Sequence, residues 1–288
     1  PGTAPVGGSL QLDLPPMDAW SVLAPPGWRM RGAMNAHVNL EGTVAEPKWS
    51  GTLQANDLAL RSLVDGIDFS QGRFEARLHD QQLDISNFSL RGAGASGARG
   101  DNSAVGGTLN ITGSAQLQPA NTTRNGLHLQ LQAKAQALRL SARPDRRVTV
   151  SGNLSADWLN DRLTVRGALL ADQALFTLPE DSTPRLGSDV VVRGAPGRDD
   201  QPRATARTAT STDRAPQIDL QIDLDPGKDF QVRGMGVDTR LVGKLKLSAN
   251  NPTQPSLNGT LRTVDGTYRA YGQRLDIERG LIRFTGPP

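Results

Sequence analysis

Few side chains in this sequence could carry chemistry, and they are scattered. The histidines are His37, His79 and His128, and each lies on the polar side of a stretch in which polar and apolar residues alternate. A catalytic triad or a histidine metal site would require distant strands to converge, and the spacing does not suggest this. We therefore expect all three imidazoles at the surface.

One acidic cluster has a spacing that resembles a ligand set. Asp223, Asp225 and Asp229 in DLDPGKD supply carboxylates at near-alternate positions, as calcium loops do. The Pro-Gly pair between them is typical of a turn that joins two strands, with acids that keep a sheet edge soluble. The turn is the simpler interpretation, and we expect no metal here.

Other catalytic signatures are missing from the sequence. It has no cysteine, which excludes thiol nucleophiles, thiolate zinc sites and disulfides. It also has no Gly-x-Ser-x-Gly elbow and no Gly-x-x-x-x-Gly-Lys-Ser/Thr phosphate loop. The sequence therefore predicts a protein that is not an enzyme, without catalytic residues, metals or cofactors.

The elements that position the polar side chains are strands. Between Gly27 and Val44, apolar residues or glycines occupy the even positions and polar residues the odd ones, with Ala33 as the one break. Successive strand residues point to opposite faces, so this pattern predicts a long strand with one apolar face. Straight, it would reach about 50 Å or more. We expect it to bend at Gly32 and Gly42.

The same alternation recurs to the end of the chain. A hydrophobic content of 36%, with 31 glycines, 19 prolines and 4% aromatic residues, favours strands and turns over helices. The pattern predicts about fourteen strands. A slip between Ile85 and Phe88 predicts a β-bulge. The one predicted helix is short, near 17–23, between Pro16 and the Pro25-Pro26 pair.

Interruptions of the pattern divide the chain. Glycine-rich and polar loops are predicted near 92–107 and 118–126, and a much longer polar stretch covers 179–217. We predict a first sheet segment over 1–178, a flexible linker or insertion over 179–217, and a second sheet segment over 218–288.

Charge and hydropathy exclude two classes of interaction. The 32 basic and 29 acidic residues are interspersed and give a net charge of +3, whereas a nucleic-acid binder would cluster its basic residues and offer aromatic side chains for stacking. No run of about 18 apolar residues could cross a membrane as a helix. We expect no nucleic-acid partner.

The apolar faces of the strands need cover, because large contiguous apolar surfaces in water are unfavourable. A β-sandwich, such as that of an adhesin, would pack two such faces together. An outer-membrane barrel would turn them toward lipid, and a curled sheet would turn them inward around a channel. The scarcity of aromatic residues argues against the barrel, and the strand length against an ordinary sandwich. The predicted fold is all-β, a long, curved and folded sheet with an apolar interior and a polar exterior.

The end of the sequence resembles a known family. The segment GTYRAYGQRLDIERGLIRFTGPP is similar to the C-terminal region of the TamB family, and LPPMDAWSVLAPPGW and LEGTVAEPKWSGTLQANDLALR are similar to other segments of that family. The residues that match the C-terminal pattern are Gly266, Tyr268, Ala270, Tyr271, Gly272, Gln273, Gly280, Phe284, Gly286 and Pro287.

The resemblance implies a fold, a cellular location and binding partners. TamB-like proteins are expected to be periplasmic, anchored in the inner membrane by an N-terminal helix, and built as a taco-like β-groove related to AsmA-like and bridge-like lipid carriers. They are also linked to the outer-membrane barrel TamA. We expect both the anchor and the segment that docks on TamA to lie outside this sequence.

Two functions are compatible with this reading. The first is a hydrophobic conduit that carries phospholipid acyl chains between the inner and outer membranes and so contributes to outer-membrane biogenesis. The second is a scaffold that helps to insert outer-membrane barrel proteins or autotransporters by β-augmentation with a TamA-like partner. For the conduit, the predicted lining, any member of which could instead be ordinary core, is Met30, Met34, Val38, Leu40, Trp49, Leu53, Leu109, Ile111, Leu129, Leu131, Val148, Val150, Leu163, Val165, Leu220, Ile222, Leu245, Leu247, Ile277, Ile282 and Phe284.

Overall fold

A computed structural model describes most of the chain, namely residues 4–14, 27–92, 106–118, 126–179, 217–250 and 254–286. The predicted helix near 17–23 lies outside these residues, as does nearly all of the predicted linker. Within the described ranges the chain forms strands and turns and no helix, so it has no helix that could span a membrane.

All the strands belong to one mixed sheet. They are β1 (Gly8–Leu14), β2 (Trp28–Gly42), β3 (Pro47–Ser62), β4 (Ile67–His79), β5 (Gln82–Arg91), β6 (Thr108–Gln118), β7 (Gly126–Ala142), β8 (Arg146–Leu159), β9 (Arg162–Thr177), β10 (Gln217–Asp225), β11 (Phe230–Gly234), β12 (Val237–Ala249), β13 (Ser256–Ala270), β14 (Gln273–Asp276) and β15 (Leu281–Gly286).

The strands follow sequence order across the sheet, and most neighbours are antiparallel. The exception is β9, which pairs in parallel with β10 and, further along, with β11. Both of these strands pair with β12 on their other side. The strands before and after residues 180–216 therefore belong to the same sheet.

The alternation read from the sequence corresponds to the two faces of the sheet. Along β2, half-buried and exposed residues alternate for most of its length, and the break at Ala33 follows a register irregularity between Arg31 and Ala33. The predicted bulge between Ile85 and Phe88 is also present. Bulges in neighbouring strands insert extra residues, which bends and twists a sheet.

The sheet curls toward its apolar face. The turn between β3 and β4 contacts the end of β7, although β5 and β6 lie between these strands. In a flat sheet, β4 and β7 would lie three strand spacings apart, which is about 14 Å. Their contact therefore requires the sheet to curl. Ser62 and Ser141, both at apolar-face positions, are 1% and 6% exposed at this contact. The predicted fold class, an all-β curved sheet, is confirmed.

Candidate functional site

The apolar face of the sheet forms a continuous trough. Because paired residues on neighbouring strands share a face, the strand registers trace an apolar path that meets no polar residue from β1 to β15. This central row contains Leu14, Met34, Ala55, Phe74, Phe88, Ile111, Ala133, Leu154, Gly167, Ile222, Leu247, Leu257 and Gly286.

A second row runs parallel to it. It contains Leu12, Ala36, Leu53, Ala76, Ile85, Gly113, Leu131, Ala156, Val165, Leu220 and Ala249. We call the face that carries both rows the apolar trough. At about 4.8 Å per strand, the central row is about 58 Å long.

The registers place the predicted lining residues that lie in strands on this one face. Met34, Ile111 and Leu247 belong to the central row, and Leu53, Leu131 and Val165 to the second. Ile277 lies outside the strands, just after β14, where its N–H donates a 2.8 Å hydrogen bond to the Gly266 carbonyl. Whether these side chains touch a ligand stays a prediction.

No second layer within the described ranges covers the trough. The large apolar side chains that are buried there are Leu138, Val150, Ile222, Leu241 and Leu261. Most other large side chains of the trough are half-buried or exposed. A sandwich would bury two facing sets of such residues, so this sheet keeps an apolar surface that a second sheet would normally cover.

Glycines make room for leucines on the trough floor. A Cβ built on Gly113 would lie 2.9 Å from Cδ2 of the facing Leu131, and one on Gly259 would lie 3.0 Å from Cδ2 of Leu245. The leucine methyls thus occupy the space above the glycines.

One end of the strands is open and apolar. A cavity of about 460 Å³ lies between Trp49, Leu78, Leu83, Leu117 and Leu127, near the β4–β5 turn and the end of β6. Trp49 is 40% exposed and Leu117 is 55% exposed. A side of the trough that is accessible to solvent thus carries large apolar side chains.

The opposite end of the strands is tied by polar contacts, which we call the clasp. The hydroxyl of Ser141 donates to the Asp65 carbonyl at 2.8 Å, and the Ala142 N–H donates to the Gly66 carbonyl at 2.9 Å. The Arg143 guanidinium donates to the Val64 carbonyl. These bonds link the β3–β4 turn to the β7–β8 turn across the ends of β5 and β6.

An ion pair fixes the arginine of the clasp. Nε of Arg143 lies 2.7 Å from Oδ1 of Asp145. The hydrogen bond from the guanidinium lowers the pKa of the Asp145 carboxyl below its ordinary value, and the same bond raises the pKa of Arg143. Both side chains are partly or fully accessible, so solvent screening keeps the contribution of this pair small.

The polar face shows no catalytic or metal-binding arrangement in the described part of the chain. His37 and His79 are exposed, as predicted, whereas His128 is half-buried with Nε2 at 3.1 Å from Oδ2 of Asp157. No group of histidine and acidic residues there could hold a metal ion. Asp225 accepts a 2.8 Å hydrogen bond from the Gly227 N–H, which is typical of a turn.

Sequence reasoning missed the clasp and the small residues of the floor. Ser62 and Ser141 stand at apolar-face positions, where a pattern of hydrophobic residues gives no reason to select serine. Alanines such as Ala76 and Ala133 do follow the alternation, and this was the available signal for the floor. The two ends of the clasp are 76 residues apart, so no local pattern could join them.

Comparisons with known proteins identify the family of this chain. The model of the TamB C-terminal domain matches residues 97–288. The translocation and assembly module subunit TamB of Haemophilus influenzae is 20% identical over 293 residues, which cover 98% of this chain and 20% of that protein. The chain thus spans about a fifth of the length of the curated relative that it matches. No solved structure matches it. Because the family model covers well over half of the sequence, this chain belongs to the TamB family.

Proposed function

We propose that this chain is a non-enzymatic conduit in the periplasm, in which the acyl chains of phospholipids lie along the apolar trough on their way between the inner and outer membranes. The observation that carries the proposal is the central row, which crosses the sheet for about 58 Å without a polar residue and which no other part of the described chain covers. Such a surface in water needs an apolar occupant.

The dimensions suit this cargo. One acyl chain spans half of a bilayer's hydrocarbon core, about 15 Å, so several chains fit along the trough. The polar face and the strand ends carry the charged residues, which leaves headgroups in contact with water at the open side. A non-polar occupant would also gain from leaving water, at about 25 cal/mol per Å² of apolar surface buried.

A charge in the trough tests the proposal. Leu131 is half-buried on the trough, and Gln132 is exposed on the opposite face of the same strand. The Leu131→Arg variant should retain much less phospholipid after gentle purification than wild type, because a guanidinium is costly beside acyl chains. The matched Gln132→Arg variant should retain the wild-type amount, measured by mass spectrometry of extracted lipid.

A second measurement covers the case in which Leu131→Arg does not fold. A photo-crosslinking amino acid at position 131 should attach to phospholipid, and the same group at position 132 should not. The proposal is wrong if wild type carries no phospholipid, or if crosslinking is equal on the two faces.

The alternative function is a scaffold for nascent outer-membrane strands, with a TamA-like barrel as partner. It is favoured by the sheet edge formed by β14 and β15, which among the described strands pair only with β13 and are mostly exposed. Exposed edges accept additional strands. Backbone-directed crosslinks of an added strand at this edge, with no lipid in the trough, would support this function over the conduit.

A further inference from the structure

A large cavity lies on the polar face of the sheet, away from the trough. It has a volume of about 700 Å³, and Asp57, Gln71, Arg73, Ser89, Arg91 and Asn110 are among its lining residues. We call it the polar-face cavity. Cavities that hold small molecules commonly have volumes of about 300–1,000 Å³.

Two bulged residues line this cavity. Asp57 in β3 and Gln71 in β4 have φ angles of 54° and 52°, in the left-handed region, and the registers shift at both positions. This conformation is uncommon for residues that carry a Cβ, and here it accommodates the extra residue of each bulge. The bulges interrupt the regular side-chain rows and redirect polar groups toward one space.

Two arginines line the cavity, and neither is engaged in an ion pair with a described residue. Arg73 pairs in register with Ser89, and Arg91 lies two residues after Ser89 on the same face, so both arginine side chains line the same space. Within the described ranges neither guanidinium makes an ion pair or a hydrogen bond, and Asp57, which also lines the cavity, pairs with neither. Two unpaired like charges repel each other.

The other lining groups are neutral hydrogen-bonding side chains. Gln71, Asn110 and Ser89 offer amides and a hydroxyl, which bind the hydroxyl groups of a small polar molecule. The lining contains no aromatic residue, so the cavity has no surface on which a base could stack. Guanidinium groups match phosphate oxygens in charge and in geometry.

We infer that the polar-face cavity binds a phosphate ester on a small hydroxyl-bearing body, with Arg73 and Arg91 holding the phosphate and the neutral side chains holding the hydroxyls. The site is on the face opposite the trough, so it is separate from the acyl-chain path. The shared chemistry is a glycerol phosphate group, which occurs both as a soluble ester and as the headgroup of phosphatidylglycerol.

Calorimetric titration with glycerol 1-phosphate at low ionic strength tests the inference, with glycerol as the uncharged control. Wild type should bind the ester saturably and glycerol at least tenfold more weakly. The Arg73→Gln/Arg91→Gln double variant should lose at least tenfold in affinity. The Arg77→Gln variant is the control, because Arg77 lies on the same strand and face as Arg73 but outside the cavity. Its affinity for the ester should stay within twofold of wild type.

Vesicles distinguish the two sources of the phosphate. The ligand is a membrane headgroup if wild type co-sediments more with phosphatidylglycerol vesicles than with phosphatidylcholine vesicles and the double variant loses this preference. Binding of the soluble ester alone identifies a soluble ligand. The inference is overturned if neither probe binds, or if the folded double variant binds as wild type does. Trough lipid content, measured in the same samples, reports on the conduit separately.

Discussion

The hydroxyl of Ser141 donates a 2.8 Å hydrogen bond to the backbone carbonyl of Asp65, across 76 residues of sequence. It also lies 3.3 Å from the Arg146 carbonyl. Ser62, nearly inaccessible, donates to Oδ2 of Asp65 at 2.7 Å from the other side. Asp65 thus joins two serines at apolar-face positions, and this junction holds the sheet in its curled form.

Removing the hydroxyl of Ser141 should loosen the clasp. The Ser141→Ala variant leaves the partly buried Asp65 carbonyl without this donor, which should lower the free energy of unfolding by about 1–2 kcal/mol. The Ala142 amide, which donates to Gly66, should exchange its hydrogen faster. Chemical denaturation and hydrogen exchange measure the two effects. Ser155→Ala, at an exposed position with a weaker 3.3 Å bond, should change neither appreciably.

The Asp145–Arg143 pair should make clasp stability depend on acidic pH. The pKa of Asp145 is lowered in the folded protein, so the unfolded chain binds more protons between the two pKa values and stability rises with pH there. The contribution should be complete above the ordinary pKa of 3.8 and lost as pH falls through the lower folded value. The stability difference between wild type and Asp145→Asn should therefore shrink between pH 5 and about pH 2. A difference that grows toward low pH would contradict this.

A methyl group on the trough floor should be poorly tolerated. Gly259 has a φ of 139°, and a Cβ there would lie 2.3 Å from the Lys244 carbonyl oxygen. Gly259→Ala should therefore cost about 1–3 kcal/mol, a fall in Tm of a few degrees for a chain of this size. Gly8→Ala, whose Cβ would meet nothing within 4 Å, is the control and should leave Tm nearly unchanged.

Lipid in the trough should reach Trp49. In variants that retain a single tryptophan, phospholipid with brominated acyl chains should quench the fluorescence of Trp49, which lines the open apolar cavity. Trp28, which faces Ser62 at the clasped end, should be quenched less. Equal quenching of both residues, or none at Trp49, would argue against acyl chains entering at the open end.

The parallel pairing of β9 with β10 can be trapped chemically. Thr164 and Asp219 are register partners, and residues paired in this way have Cα atoms within the distance that a disulfide spans. Cysteines at these two positions, in a chain with no others, should form an intramolecular disulfide under mild oxidation. Cysteines at positions 164 and 223 should not form a disulfide. If only this second pair formed one, the register between β9 and β10 would be different.

Local patterning accounted for the strands, their two faces and one bulge. The alternation in β2 was sufficient to predict its two faces, because the side-chain period of a strand is 2. The slip after Ile85 was sufficient to predict the bulge, because a bulge adds one residue. The polar-face cavity gave no such signal, since Asp57 and Gln71 look like ordinary polar-face residues until their backbone angles are known.

The sequence alone thus determined that this chain is a sheet with one apolar face, because hydrophobic periodicity is a local property of each strand. Only the tertiary structure decided that no second layer of the described strands covers this face, that Asp65 meets Ser141, and that β9 lies parallel to β10. Each of these depends on curvature and on pairing between residues distant in the chain. Pairing energies are similar for many registers, and the accumulated twist and bulges of the whole sheet select among them.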